Sequence, residues 1–396
     1  MAFPKSNHEI INVCMLTPYY PPNYSGGSIQ AHRINKQLLH RNINVTVLTK
    51  RLNINDPEEF EGIVTKRLPS QKITKLIKND KILTILWIIF SCFEIFKNRK
   101  RFDVFHVLDA YSYAAVFALL CRIIRKPIFV KVGIAKGPIQ ANKLHRKIRV
   151  EILKKYAEMI AVSLETLEEL KEHGFNLNRI ELIPNGVDIN EFKPVSIDEK
   201  IKQKKSLGIS SDTIVATYVG ICDKRKGTDL LIKAWRRIVL EHKNVLLLLV
   251  GPVPDKEFER EMKKYIDTES LGNNIKIYGK QKTVLPFLDS SDLFVFPSSR
   301  EGLPNALMEA MAKGLPCVSR PIGGVIDLIK HGKNGLLCKG NDDQLVENLE
   351  KNIVKLIENP MLRKQLRDEA VKTIQNEYSL DQIVLKYEQK YRSKVL

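Results

Sequence analysis

The chain is expected to fold as an α/β protein with two Rossmann-like domains, each a parallel sheet covered by helices. Three observations carry that expectation. Its 396 residues exceed one ordinary compact domain and suit two, each able to bury its own core and together leaving a cleft. Short β-branched apolar runs alternate with helical patterns, as in a parallel sheet. The alternation also occurs twice, on either side of a polar, lysine-rich stretch at 193–210 that contains Pro194.

In the first half the strand patterns fall at 10–16, 44–48, 104–108, 128–132 and 159–163. In the second they fall at 214–219, 245–250, 275–278, 293–296 and 316–319, separated by amphipathic stretches of helix length. The domains are placed at 1–195 and 196–378, with 193–210 supplying the connection and a surface helix. A closing segment, 379–396, has Leu380, Ile383, Val384, Tyr387 and Tyr391 at helical spacing and needs a surface to pack on. The stretch 82–96 is almost wholly apolar between Lys78 and Lys81 on one side and Lys97, Arg99, Lys100 and Arg101 on the other. It is too short to span a bilayer. It suits a buried helix or one lying in a membrane interface, where Trp87 and the basic flanks would sit among headgroups.

Composition narrows the class. Hydrophobic content of 44% and charged content of 28%, without repeats or low-complexity tracts, exclude a disordered or fibrous chain. Of the net charge of +19, residues 1–150 supply +16, from 25 Lys and Arg against 9 Asp and Glu. A basic half attracts nucleic acid, an acidic polymer or an anionic membrane surface. Charge alone is a thin basis for nucleic acid, which is set aside. The cysteines at 14, 92, 121, 222, 317 and 338 form no CxxC pair and no zinc spacing with His, so they read as reduced, mostly buried thiols. The polar start, 1–9, does not look like a signal peptide, and a cytoplasmic enzyme is the simplest expectation.

In open parallel sheets ligands bind beyond the carboxyl ends of the strands, so chemistry is sought in the loops that follow them. After the first strand, Gly26 and Gly27 open a helix expected to begin near Ser28; paired glycines let a ligand approach the backbone, although ordinary turns use them too. After the first strand of the second half, Gly220 is followed by Asp223, Lys224, Arg225, Lys226 and Gly227, with Thr228 as the expected N-cap. Three cations at a helix start suit a departing diphosphate, and a solvated turn is the plain alternative. No GxxxxGK[ST] run marks a P-loop and no GxGxxG marks a dinucleotide fold.

The most informative segment is 296–311, a strand, a tight loop and a helix ending near Gly314. Glu301 sits on the loop where a sugar would lie, and Gly302, Leu303, Pro304 and Asn305 lead into the helix, with Asn305 expected to cap it. Glu309 can accept hydrogen bonds from a vicinal diol such as a ribose. The alternative is a pair of carboxylates that merely favours the helix dipole. A fourth loop, with Arg320, Gly323, Gly324, Asp327 and Gly335, again lets a ligand come close.

Taken together, Gly26-Gly27, the run Ile183-Pro184-Asn185-Gly186-Val187-Asp188 with Phe192 and Pro194, Lys226-Gly227, the 301–309 segment and Gly323-Gly324 with Gly335 are specific in order and spacing. The chain resembles the retaining glycosyltransferases of family 4, group 1, over nearly its whole length. That resemblance implies the two-domain GT-B architecture with the last helix crossing back to the first domain, an acceptor-binding first domain and a second that holds a nucleotide diphosphate sugar. It implies Glu309 on the donor ribose, Glu301 on the transferred sugar, and Lys226 on the diphosphate with the amides of residues 302–305. It further implies retention of configuration with neither metal nor cofactor. Two positions depart from the family pattern: Ile221 stands where an Arg is usual, a charge that Lys224 or Arg225 can supply, and Gly133 stands in the loop where many members place a His. His106 reads equally as ligand or core.

The expectation is a hexosyltransferase peripheral to the inner face of the cell membrane, acting on a lipid-linked or cell-surface polysaccharide acceptor. The rivals are a soluble synthase or epimerase of the same architecture and a silent nucleotide-sugar binder.

Overall fold

The computed structural model describes residues 9–23, 25–77, 79–135, 137, 139 and 144–395. Residues 1–8 of the polar start, Lys78 and Lys136 lie outside them. The chain divides into two compact units, one of residues 1–186 with 380–396 and the other of residues 187–379. Both crossing points meet at one place, where Val187 bridges Ser379 and its amide bonds to the Tyr378 carbonyl.

In the first unit the elements run β1 (Ile11–Thr17), α1 (Gly26–Leu39), β2 (Ile43–Lys50), β3 (Glu59–Phe60), β4 (Ile63–Leu68), α2 (Gln71–Leu76), α3 (Asp80–Lys97), β5 (Val104–Leu108), α4 (Ser112–Ile123), β6 (Ile128–Val132), α5 (Leu144–Tyr156), β7 (Glu158–Ala161), α6 (Leu164–Glu172) and β8 (Ile180–Leu182). The strand order is β3-β4-β2-β1-β5-β6-β7-β8, parallel except for the β3–β4 pair. The second unit contains α7 (Ile197–Ser206), β9 (Ile214–Val219), α8 (Thr228–Glu241), β10 (Val245–Val250), α9 (Lys256–Thr268), β11 (Ile275–Gly279), α10 (Leu285–Asp289), β12 (Leu293–Phe296), α11 (Asn305–Ala312), β13 (Cys317–Ser319), α12 (Val325–Leu328), β14 (Leu336–Leu337), α13 (Asp342–Glu358) and α14 (Pro360–Glu377). Its sheet has the order β11-β10-β9-β12-β13-β14, with every pairing parallel.

The central strands are buried on both faces, which is why they read as largely apolar runs, broken only by His106 in β5 and Lys131 in β6. The strands that the pattern did not reveal are β3, β4, β8 and β14. β4 alternates buried and exposed positions through Val64 and Lys66, and the other three are only two or three residues long.

The first sheet has a core on each face. One is covered by α3, α4 and α5; the other by α1 and the closing helix α15 (Leu380–Arg392). The closing segment thus finds its surface in the first unit. Arg41 bonds to Glu388 at 3.1 Å, and Arg392 reaches the Arg41 carbonyl.

His106 proves to be a core residue. It is buried in β5, stacks on Tyr387 and bonds through Nδ1 to the Tyr391 hydroxyl at 2.5 Å. Burial, helped by the charge on Lys131, pushes its pKa down to about 3. Below the ordinary value near 6.5 the unfolded chain therefore binds a proton that the folded chain refuses, so stability falls with pH by up to about 1.4 kcal/mol per unit. Thermal melts of His106→Gln between about pH 7 and about pH 4 should show a shallower acid loss than the parent.

The 82–96 stretch lies within α3 and is two-faced. Leu83, Trp87, Ser91 and Ile95, four residues apart, turn inward, and Trp87 packs edge-on against Tyr113 and Phe117 at 5.3 and 5.5 Å. Trp87 is fully buried, as in the buried-helix alternative and not among headgroups, because the indole fills the core between α3 and α4. Ile82, Ile85, Ile89, Phe93 and Phe96 remain exposed.

Candidate active site

In the second sheet β9 lies between β10 and β12, so the strand order reverses there and the loops after β9 and β12 are neighbours. The first of them leaves β9 through Gly220, whose φ of +152° favours glycine. Asp223 Oδ1 accepts from the Lys226 amide at 2.7 Å and shapes the turn. Gly227 then caps α8 with φ +71° and ψ +23°, and a Cβ there would stand 2.6 Å from the Pro297 carbonyl oxygen. Glycine is required twice over. Thr228, expected as the N-cap, is the first helical residue instead, and its hydroxyl turns back to the Asp223 carbonyl.

The two loops are fastened to each other. The amide and hydroxyl of Ser299 both donate to the Arg225 carbonyl, at 2.9 and 2.8 Å. One oxygen of Glu301 gathers three donors: Lys226 Nζ at 2.5 Å, Ser298 Oγ at 2.6 Å and, less closely, Arg225 Nη1 at 3.6 Å. The Glu301 and Lys226 side chains are 14% and 15% exposed, shielded yet reachable. The arrangement gathers two cations, Lys226 and Arg225, beside a carboxylate whose oxygens can accept from hydroxyl groups. Lys224 does not join them. It is 69% exposed and pairs with Glu261 at 3.4 Å, leaving Arg225 as the second cation beside Lys226.

Beyond Glu301 the backbone passes through buried Gly302, Leu303 and Pro304 into α11. Pro304, with φ −76°, takes the N-cap position. Asn305 is the first helical residue and cannot act as the expected cap, because capping needs the residue before the helix. Glu309 is buried one turn further, four residues from Asn305 and on the same side of the helix. The Gly324 amide donates to the Gly302 carbonyl at 2.6 Å, so the loop after β13 supports the loop that carries Glu301.

Gly26 and Gly27 belong to the first unit. α1 begins at Gly26, two residues earlier than expected, because Ser25 and Ser28 form a reciprocal capping box. A Cβ at Gly27 would meet nothing within 4 Å, so packing does not demand glycine there.

A further residue, not singled out by its sequence neighbourhood, is Asp109 at the carboxyl end of β5. Its backbone is left-handed, with φ +69°. Among the described residues its carboxylate has no hydrogen-bond partner, and burial raises its pKa. A Cβ on Gly133 would stand 2.8 Å from Asp109 Oδ1, so the glycine at 133 leaves room for this carboxylate. Beside them the buried Lys131, pushed down to about 8 by burial against the support of Asp109, donates to Asn185 Oδ1 at 2.9 Å. The departure at Gly133 was the available signal, but its partner lies on the neighbouring strand.

Among the described residues no group of three or more His, Cys, Asp or Glu is arranged to hold a metal ion. The model of the glycosyl transferases group 1 matches residues 199–373, and that of glycosyltransferase family 4 matches residues 24–191. The chain belongs to these glycosyltransferases. Two uncharacterised glycosyltransferases of Methanocaldococcus jannaschii resemble it, one at 29% identity over 59% of this chain and 64% of its own length, the other at 26% over 94% and 96%. The UDP-Gal:alpha-D-GlcNAc-diphosphoundecaprenol alpha-1,3-galactosyltransferase of Escherichia coli is 26% identical over 68% of this chain and 70% of its own. Among solved structures, Anabaena HepE in complex with UDP and glucose superposes with a TM-score of 0.79 at 19% identity, covering 97% of this chain and 100% of that one. Both sheets of this glycosyltransferase therefore form the GT-B fold.

Proposed function

We propose that this glycosyltransferase moves a hexose-type sugar from a nucleotide diphosphate donor to a lipid-linked or cell-surface polysaccharide acceptor, with retention of configuration and without a metal, at the inner face of an anionic membrane. The observation that carries the donor side is the Lys226–Glu301 pair, with Arg225 beside it, on the two loops at the strand-order reversal. Lys226 and Arg225 take the diphosphate, Glu301 takes hydroxyls of the transferred sugar, Glu309 takes the ribose, and the 302–305 backbone adds donors to the phosphates.

The first unit holds the acceptor, and Asp109 is the candidate sugar contact in place of a side chain at 133. A lipid-linked acceptor is in keeping with the basic excess of residues 1–150 and with the diphosphoundecaprenol acceptor named for the Escherichia coli relative.

A donor panel read by mass spectrometry for transferred sugar and released nucleotide diphosphate tests the reading. Tight binding with no release from any donor would favour a silent binder, and a small soluble product a synthase or an epimerase. Glu309→Ala should weaken nucleotide binding by roughly 1–3 kcal/mol, the worth of charged hydrogen bonds. Calorimetric titration with the nucleotide diphosphate measures it, and unchanged affinity would remove Glu309 from the ribose.

A further inference from the structure

The first unit carries a surface with no part in donor chemistry. Helices α3, α4 and α5 cover one face of its sheet as successive crossovers between parallel strands, so all three run the same way. Each buries one stripe and leaves apolar side chains outside: Ile85, Ile89 and Phe93 on α3, Leu119 and Ile123 on α4, and Ile148 on α5. Phe93 is 67% exposed and Ile123 72%. Single exposed apolar side chains are ordinary, but these lie on helices that pack side by side. α3 packs on α4 through Trp87, and α4 and α5 share a shallow groove lined by Leu119, Ile148, Ile152 and Tyr156.

The carboxyl ends of these helices all lie at the edge where β5, β6 and β7 begin, and cations collect there. A surface hollow of about 540 Å³ is lined by Arg122, Arg125, Lys126, Lys155 and Arg179. Lys126 pairs with Asp103 at 3.7 Å and Arg179 with Glu158 at 3.1 Å. Arg122, Arg125 and Lys155 have no ion pair among the described residues. Arg99 and Lys100 lie exposed beyond the end of α3, and Lys81 is exposed in its first turn.

We infer that this three-helix face docks the protein on an anionic bilayer, resting on the reading that the acceptor is presented at a membrane. The helices lie along the interface with their outer apolar stripes at the acyl boundary, and the cationic hollow faces lipid phosphates. Among the described residues no helix is long and apolar enough to cross a membrane, so attachment is to the surface. A second copy of the chain is the poorer occupant. A two-fold contact would bring the same unpaired cations of both copies into one interface, and Glu151, the acid that lines the groove with Lys155, is already held by Lys154 at 2.7 Å.

Sedimentation of the full chain with vesicles tests this without a known substrate. With phosphatidylcholine vesicles containing about 30% phosphatidylglycerol at about 0.15 M salt the protein should pellet, and with pure phosphatidylcholine it should stay in solution. Ile89→Ser with Phe93→Ser and Ile123→Ser, and separately Arg122→Glu with Arg125→Glu and Lys155→Glu, should each lower vesicle binding at least about tenfold at an unchanged melting temperature. Lys280→Glu with Lys282→Glu, a charge change of the second unit, should leave it unaltered. Failure of the parent to bind, binding by both face variants like the parent, or a dimer that the face variants dissolve would overturn the proposal. Nucleotide diphosphate release from the donor panel, measured on the same variants, reports the transferase reading separately, since no substituted residue lies near Lys226 or Glu301 in the chain.

Discussion

Lys226→Ala is expected to lower kcat/KM by about two to three orders of magnitude, the loss typical of removing one preorganised group that faces developing charge. On the proposed donor reading, negative charge grows on the departing diphosphate as the glycosidic bond breaks. An ammonium already held in a shielded site needs little reorganisation to meet it. Before the donor binds, that ammonium is occupied by Glu301 at 2.5 Å, so the site stores its charges as a neutral pair. Removing Lys226 leaves Glu301 with Ser298 and Arg225, and the fold should therefore lose little. Lys226→Arg keeps the charge, but its planar fork has to fit beside Phe296, whose ring centre lies 5.4 Å from Nζ, so only partial recovery is expected. Steady-state kinetics with a donor from the panel, alongside a thermal melt, decides the matter. A change confined to KM would reduce Lys226 to ground-state binding.

The legible part of this protein is what burial writes into sequence. β5, β6, β9, β10 and β12 coincide with the apolar runs because two-sided burial keeps most of their positions apolar, with His106, Lys131 and Thr217 as buried polar exceptions. The two loops that bring Lys226 and Glu301 together were also legible as the place to look, since ligands of open parallel sheets bind beyond the carboxyl ends of the strands. Pairings across strands were hidden. Nothing near Gly133 announces Asp109, and nothing near Lys224 says that it leaves for Glu261 while Arg225 stays. Cap positions shifted by a residue or two at Gly26, Thr228 and Asn305, because local hydrogen bonds and a proline ring decide where a helix begins. In α3 the apolar pattern ran around the whole helix. Periodicity alone could not tell the face held by Trp87 from the one left outside.

Gly324→Ala isolates how tightly the donor loop is held. Its φ of −67° suits any residue, so backbone freedom is not the reason for glycine. Space is. A Cβ would stand 2.2 Å from the Gly302 carbonyl oxygen and 2.8 Å from Leu303 Cδ1, and the first of these is backbone that cannot rotate away. The loop carrying Glu301 would have to move or the Gly324–Gly302 hydrogen bond would have to break. Overpacking of this kind costs roughly 1–3 kcal/mol of stability. The effect on turnover should be larger, since a displacement of about 1 Å in a positioning loop can lower a rate roughly a hundredfold. Gly272, in the same unit, has nothing within 4 Å of a Cβ and gives the control. Denaturant melts and donor turnover of Gly324→Ala and Gly272→Ala should therefore diverge sharply. Equal values would mean that the loop yields, and that Glu301 is placed by Lys226 and Ser298 alone.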